Sequence, residues 1–153
     1  MGPEQQNTIG LSLIGLQINT WMAAFHQVVS FKMTNSRTKG RAGEQEICRL
    51  LRDELGVTAH RNWQEQSAVG GVDIICDELD WAIEVKRAKV SRLNEWWMQA
   101  VNQAKTKKAV LIYRLDRQPW KARICLSSIY PNKINAPIDM DLTTWLSIAR
   151  EEI

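Results

Sequence analysis

The chain has 153 residues, 44% of them hydrophobic, which suits one compact domain with a sizeable core. Its net charge of +3 does not by itself indicate a nucleic-acid-binding protein. The three cysteines, Cys48, Cys76 and Cys125, form no ligand pattern and there are two histidines, so the composition argues against a disulfide framework, a zinc site and a histidine-based hydrolase. We expect buried free thiols and a cytoplasmic protein.

Residues 1–33 are an apolar extension, with no Lys, Arg, Asp or Glu between Glu4 and Lys32. Polar side chains interrupt this run, and it has neither a basic n-region nor a small-residue cleavage site. We therefore expect no membrane partner, with a spanning segment as the minority alternative. We expect a helix from Ile14 to Phe31 that packs on the body or on a second subunit, and we place the main domain at 34–153.

The rest of the chain alternates helical and strand patterns. The predicted strands are 57–62, 72–76, 81–85, 109–114 and 122–126. The predicted helices are 41–55, which ends at Gly56, 93–106, and one from Asp141 or Thr143 to about 151. A short acidic turn joins the second strand to the third, which predicts a hairpin. Near-continuous apolar strands such as 109–113 predict a sheet covered on both faces, so the class is α/β.

Three charged residues lie in the predicted hairpin: Asp73 in one strand, Glu84 and Lys86 in the next. Because side chains in a strand alternate between faces, Glu84 and Lys86 share one face, opposite Ile83 and Val85. Two carboxylates suit a hard divalent cation such as Mg²⁺. A nearby lysine can orient water or neutralise charge on a phosphate. The pattern predicts a metal-dependent nuclease.

Glu44 is a third candidate acid, because it lies on the apolar stripe of the first helix. A carboxylate on a core-facing stripe is unfavourable unless it is paired or metal-bound. The simpler alternative is an ion pair with Arg41 or Lys39 near the start of the helix. We favour the site role, because a site built on Asp73 and Glu84 needs a helix beside it.

The helix at 93–106 supplies further candidates. Gln99 and Gln103 are one turn apart and share a polar face, within reach of a phosphate, although solvent-facing glutamines are common. Trp97 is predicted to be core, whereas Trp96 is free to contact DNA or a second subunit. The segment from Val85 to Lys108 is basic, which favours phosphate contact over a merely solvated face. Its charged residues are Lys86, Arg87, Lys89, Arg92, Lys105, Lys107 and Lys108, against Glu95.

These segments resemble the PD-(D/E)XK nuclease superfamily, and within it the archaeal-type and phage Holliday junction resolvases. The resemblance covers roughly Thr34 to Leu126. It is carried by Lys39-Gly40-Arg41-Ala42-Gly43-Glu44, Gly70-Gly71-Val72-Asp73, Glu84-Val85-Lys86 and the helical segment from Trp96 to Ala104. Val72 stands where the superfamily has its proline, which is not a ligand.

The resemblance implies a restriction-endonuclease-like core, a central mixed β-sheet flanked by helices. It also implies a homodimer that nicks two opposed strands of a four-way DNA junction, in a bacterial host cytoplasm if phage-encoded. Mg²⁺, for which Mn²⁺ would substitute, is expected on Asp73, Glu84 and the Val85 carbonyl, with Glu44 acting directly or through water. Lys86 would position the attacking hydroxide. The expected DNA-binding residues are Arg41, Arg61, Gln64, Ser67, Arg87, Lys89 and Gln103.

Two alternatives stay open beside a junction-resolving endonuclease. One is a nuclease of the same superfamily with another DNA substrate, used in restriction, repair or end processing. The other is a non-catalytic nucleic-acid-binding module. The four residues Glu44, Asp73, Glu84 and Lys86 argue against the binding module, because carboxylates repel phosphate when no metal is bound.

Overall fold

A computed structural model describes residues 36–63, 71–132 and 134–153. Thr38–Ile153 form one compact unit. The helix expected at 14–31 lies outside the described residues, as do Gln64 and Ser67, and the domain boundary at residue 34 stays a prediction. Of the helices that the structure describes, none is long and apolar enough to span a bilayer.

Helices and strands alternate along the described chain. In order they are α1 (36–55), β1 (Ala59–Arg61), β2 (Ile74–Cys76), β3 (Trp81–Ala88), α2 (Leu93–Ala104), β4 (Lys108–Leu115), β5 (Lys121–Cys125), β6 (Pro137–Asp141) and α3 (Leu142–Arg150). A turn of 3-10 helix, Leu126–Ser128, follows β5. Each predicted strand and each predicted helix from 41 onward is therefore present, with ends that differ by a few residues.

Within these residues the strands form a single sheet in the order β1-β2-β3-β4-β5-β6. All neighbouring pairs are antiparallel except β3 and β4, which are parallel and are connected through α2. The hairpin predicted between β2 and β3 is confirmed, with Ile74 opposite Ile83. The mixed sheet with helices on both faces confirms the predicted α/β class.

Alternation along the strands divides the core into two layers. One face of β3 and β4 packs with Ile47, Cys48 and Leu51 of α1 and with Trp145 of α3. The other face, which carries Leu111 and Tyr113, packs with Trp96 and Ala100 of α2. In the parallel register Glu84 lies beside Leu111 and Lys86 beside Tyr113, so both charged residues face α2.

The first helix, α1, ends at a glycine. Gly56 has a φ of +71°, in the left-handed region that favours glycine, and its N–H donates to the Arg52 carbonyl to close α1, as predicted. Cys48 and Cys76 are buried and Cys125 is half-buried, and all are free thiols. His60 is exposed on β1.

Two expectations were wrong. No strand was predicted at 137–141, where β6 pairs with β5 along its length. Pro137 is the first residue of that edge strand, a position where a missing N–H is tolerated. The assignment of the α2 tryptophans was also inverted: Trp96 is buried against β4, Trp97 is half-buried, and Val101 is 46% exposed.

Candidate active site

Asp73 enters the site from the residue before β2. Its N–H donates to the Ile83 carbonyl at 3.1 Å, and its own carbonyl accepts from the Asn62 N–H at 2.9 Å. Its Oδ2 accepts from the Val85 N–H at 2.8 Å. The carboxylate of Asp73 is therefore fixed against the backbone of β3, next to the Glu84-Val85-Lys86 triplet.

Glu84 is a buried acid on the α2 face of β3, with 1% of the residue exposed. Its Oε1 accepts from Lys86 Nζ at 2.5 Å and from Gln99 Nε2 at 2.9 Å. Its Oε2 is buried and has no hydrogen-bond partner among the described residues. The structure thus brings together four of the predicted catalytic residues, Asp73, Glu84, Lys86 and Gln99.

Both carboxyl groups have raised pKa values, chiefly because of burial. Burial and, after it, the negative charge of Asp73 raise the pKa of Glu84 to about 7 against the opposing effect of Lys86. The pKa of Asp73 is raised chiefly by burial, while the hydrogen bond from Val85 and the charge of Lys86 lower it. A buried acid and a half-buried acid that both have raised pKa values and lie side by side in one hairpin are typical of a functional site.

Glu44 approaches from α1, on the opposite side of the sheet from α2. It is 8% exposed, and its Oε2 accepts from Nε of Arg61 at 2.5 Å. Its partner is therefore Arg61, and not the Arg41 or Lys39 considered from sequence; Lys39 bonds Asp116 instead. The negative charge of Glu44 also raises the pKa of Asp73, which links it electrostatically to the acidic pair.

The other residues expected to bind nucleic acid are spread over several environments. Arg41 and Lys89 are exposed and Arg87 is half-buried, whereas Arg61 is only 5% exposed and lies against Glu44. Gln103 is half-buried, and its Oε1 has no hydrogen-bond partner within the described chain. Of these residues, Arg61 therefore contacts a predicted site acid, Glu44.

Two lysines of the basic segment lie away from the candidate site. Trp81, at the start of β3, lies opposite Lys108, so Lys107 and Lys108 are at the far end of the strands from Lys86. Lys107 donates to the carbonyls of Cys76 and Leu79, and Lys108 pairs with Glu152 at 2.8 Å. These two lysines are bound by protein groups.

A second polar network beside the site was missed from sequence. Arg114 binds Glu46 through two hydrogen bonds of 2.9 Å, and the indole N–H of Trp120 donates to the same carboxylate at 2.8 Å. The Arg114 guanidinium also lies 4.4 Å from the centre of the Trp120 ring. These contacts join residues about 70 positions apart, and no local sequence signal identifies them.

The acidic pair suits a divalent cation. Within the described ranges no three His, Cys, Asp or Glu side chains are close enough together to hold a metal ion. Nevertheless, Glu84 Oε2 is a buried acceptor without a partner, and its carboxylate is repelled by Asp73. A cation would relieve both, and carboxylate oxygens are the ligands that Mg²⁺ prefers.

An acid ahead of one hairpin strand and an E-x-K triplet on the next, in a mixed sheet between helices, define a PD-(D/E)XK-type nuclease. The family model described as "Phage putative PDDEXK endonuclease" matches residues 35–151, and the chain belongs to this family. It is a nuclease with a restriction-endonuclease-like core.

The chain is similar to Hjc, a Holliday junction resolvase from the archaeal hyperthermophile Archaeoglobus fulgidus. The two are 20% identical with a TM-score of 0.43, and the match covers 74% of this chain and 100% of that chain. No curated protein matches the sequence.

Proposed function

We propose that this nuclease is a Mg²⁺-dependent, structure-selective endodeoxyribonuclease that resolves four-way DNA junctions by paired symmetric nicks. The observation that carries the hydrolytic part is the Asp73–Glu84 pair, in which Glu84 is buried and bound by Lys86. The junction substrate is favoured by the sequence resemblance of the Glu44, Asp73 and Glu84 segments to phage and archaeal resolvases. The free thiols suit action in a reducing host cytoplasm.

In this proposal Asp73, Glu84 and the Val85 carbonyl would hold the cation, with Glu44 acting directly or through a water molecule. The bound cation lowers the pKa of water and screens the charge of the scissile phosphate. Manganese is expected to substitute for magnesium, since both accept oxygen ligands.

The chain's own residues supply orientation. The hydrogen bond from Val85 N–H fixes the Asp73 carboxylate, and Lys86 with Gln99 fixes that of Glu84. An ammonium has three donors, so Lys86 can bind Glu84 and also orient an attacking water. The water oxygen would form a bond to phosphorus as the bond between phosphorus and the 3′ oxygen breaks. The attacking water loses a proton to solvent and the 3′ oxygen takes one up from solvent, which leaves a 5′ phosphate and a 3′ hydroxyl.

The substrate is tested by incubating the protein with an end-labelled four-way junction, a flap and a linear duplex, each with and without Mg²⁺. Metal-dependent nicks at symmetric positions in opposed strands of the junction would support the proposal. Preferential cutting of the flap or the duplex would identify a nuclease for another DNA substrate. Metal-independent binding without products would contradict hydrolysis.

We also propose that the protein acts as a homodimer, because paired nicks require two sites. Mass measurement of the full chain should give twice the monomer mass. The same measurement on a chain that begins at Met33 tests the N-terminal extension: an unchanged dimer would show that residues 1–32 are not required for association.

A further inference from the structure

Trp63 is the exposed aromatic residue at the edge of the acidic site. Among the tryptophans that the structure describes, it alone is exposed, at 68%, whereas Trp96, Trp120 and Trp145 are buried. A large apolar ring left in water is costly when nothing covers it. Exposed tryptophans are instead enriched where proteins contact partners.

In the backbone, Trp63 follows the residue that is hydrogen-bonded to Asp73. It follows Asn62, whose N–H donates to the Asp73 carbonyl at 2.9 Å and whose side-chain amide donates to the Val72 carbonyl at 3.1 Å. Asn62 is buried, so this connection is firm. Trp63 therefore begins one residue away from the backbone that holds a proposed metal ligand.

The Arg61 side chain covers one face of the Trp63 ring. The Arg61 guanidinium lies 4.5 Å from the ring centre, and its Nε donates to Glu44. Because Arg61 is 5% exposed and paired with an acid, the ring covers a neutralised ion pair and not a free cation. The high exposure of Trp63 leaves its other face available to a ligand.

We propose that this open face of Trp63 stacks on a nucleobase at the point where DNA strands separate, beside the cleaved phosphate. The inference rests on the proposed DNA substrate. Base faces inside a duplex are already stacked on neighbouring pairs, so an aromatic platform finds a partner only at branch points, ends and unpaired nucleotides. Stacking is tolerant of sequence, because every base has a π-face. Trp63 would thus select DNA by structure.

The test measures base stacking directly. A four-way junction carries 2-aminopurine, whose fluorescence falls on stacking against an aromatic ring, either at the branch point or well inside one arm. The full-length protein is added in Ca²⁺, which suits carboxylate sites and limits cleavage. The variants are Trp63→Ala and the matched control Trp63→Phe, which keeps an aromatic face. Circular dichroism and thermal unfolding verify that each variant is folded.

Wild type and Trp63→Phe should quench the branch-point probe and leave the arm probe unchanged, whereas Trp63→Ala should quench neither. Alanine should weaken junction binding by about 5- to 150-fold and linear duplex binding by less than about twofold. Equal quenching by wild type and Trp63→Ala would overturn the stacking role, as would equal losses on junction and duplex. Wild-type protein that binds none of these DNAs would instead overturn the proposed substrate, and the stacking role with it.

Discussion

The raised pKa of Glu84 predicts that the metal-free protein is destabilised as this buried acid ionises. The pKa of Glu84 is about 7 in the folded protein against an ordinary value of 4.5. Since the folded-state pKa is raised, the stabilisation by the protonated acid is complete below pH 4.5 and is lost as the pH rises through 7. The difference corresponds to about 3 kcal/mol of unfolding free energy. Glu84→Gln, which mimics the protonated acid, should lack this loss.

The assay is urea unfolding in EDTA at pH 4.5 and pH 8. Relative to wild type, Glu84→Gln should gain roughly 2–4 kcal/mol of stability between the two values. Glu95→Gln is the matched control, because this glutamate is exposed, pairs with exposed Arg92 and lies outside the site, so its replacement should not reproduce that gain. Added Mg²⁺ should stabilise wild type more than Glu84→Gln at pH 8. A stability difference between wild type and Glu84→Gln that is independent of pH would refute the argument.

Further predictions concern catalysis and packing. Lys86→Ala and Asp73→Asn should abolish cleavage of labelled junction while gel-shift binding survives; undiminished cleavage by either purified variant would contradict their roles. Gly43→Ala would place its Cβ 3.2 Å from the Trp120 ring, and the overpacking of about 1–3 kcal/mol should outweigh a helix gain of about 1 kcal/mol, so thermal unfolding should show net destabilisation. The control Gly40→Ala meets only an ordinary contact at 3.9 Å and should stabilise by about 0.5–1 kcal/mol; a Gly43→Ala protein that is equally stabilised would show that the ring yields.

The alternation of charged and apolar residues in β3 was sufficient to predict that the Glu84 and Lys86 side chains lie together beside Asp73. Because strand side chains alternate, Glu84 and Lys86 had to share a face, and the short turn before Trp81 had to bring Asp73 alongside them. The helical stripe likewise predicted that Glu44 is buried. Local periodicity carries this information without knowledge of the rest of the fold.

Contacts between distant segments could not be predicted in the same way. The partner of Glu44 is decided by the approach of β1 to α1, and that of Glu46 by the loop that carries Trp120. The inversion of Trp96 and Trp97 has the same origin: both lie on an amphipathic helix, and the position of β4 determines which one is buried. The helical period leaves neighbouring faces of such a helix nearly equivalent, and tertiary packing determines which of them is buried.

The strand that closes the sheet at its C-terminal side affects how these molecules can associate. A bare sheet edge is a template on which another chain can continue the ladder, and proline and charged side chains discourage such growth. The edge strand β6 begins with Pro137 and carries Asp139 and Asp141. Residues that discourage the addition of another strand therefore stand at both of its ends and in its middle. Edge-to-edge association of copies of this protein through β6 is therefore disfavoured, and several copies bound along one DNA molecule can remain separate.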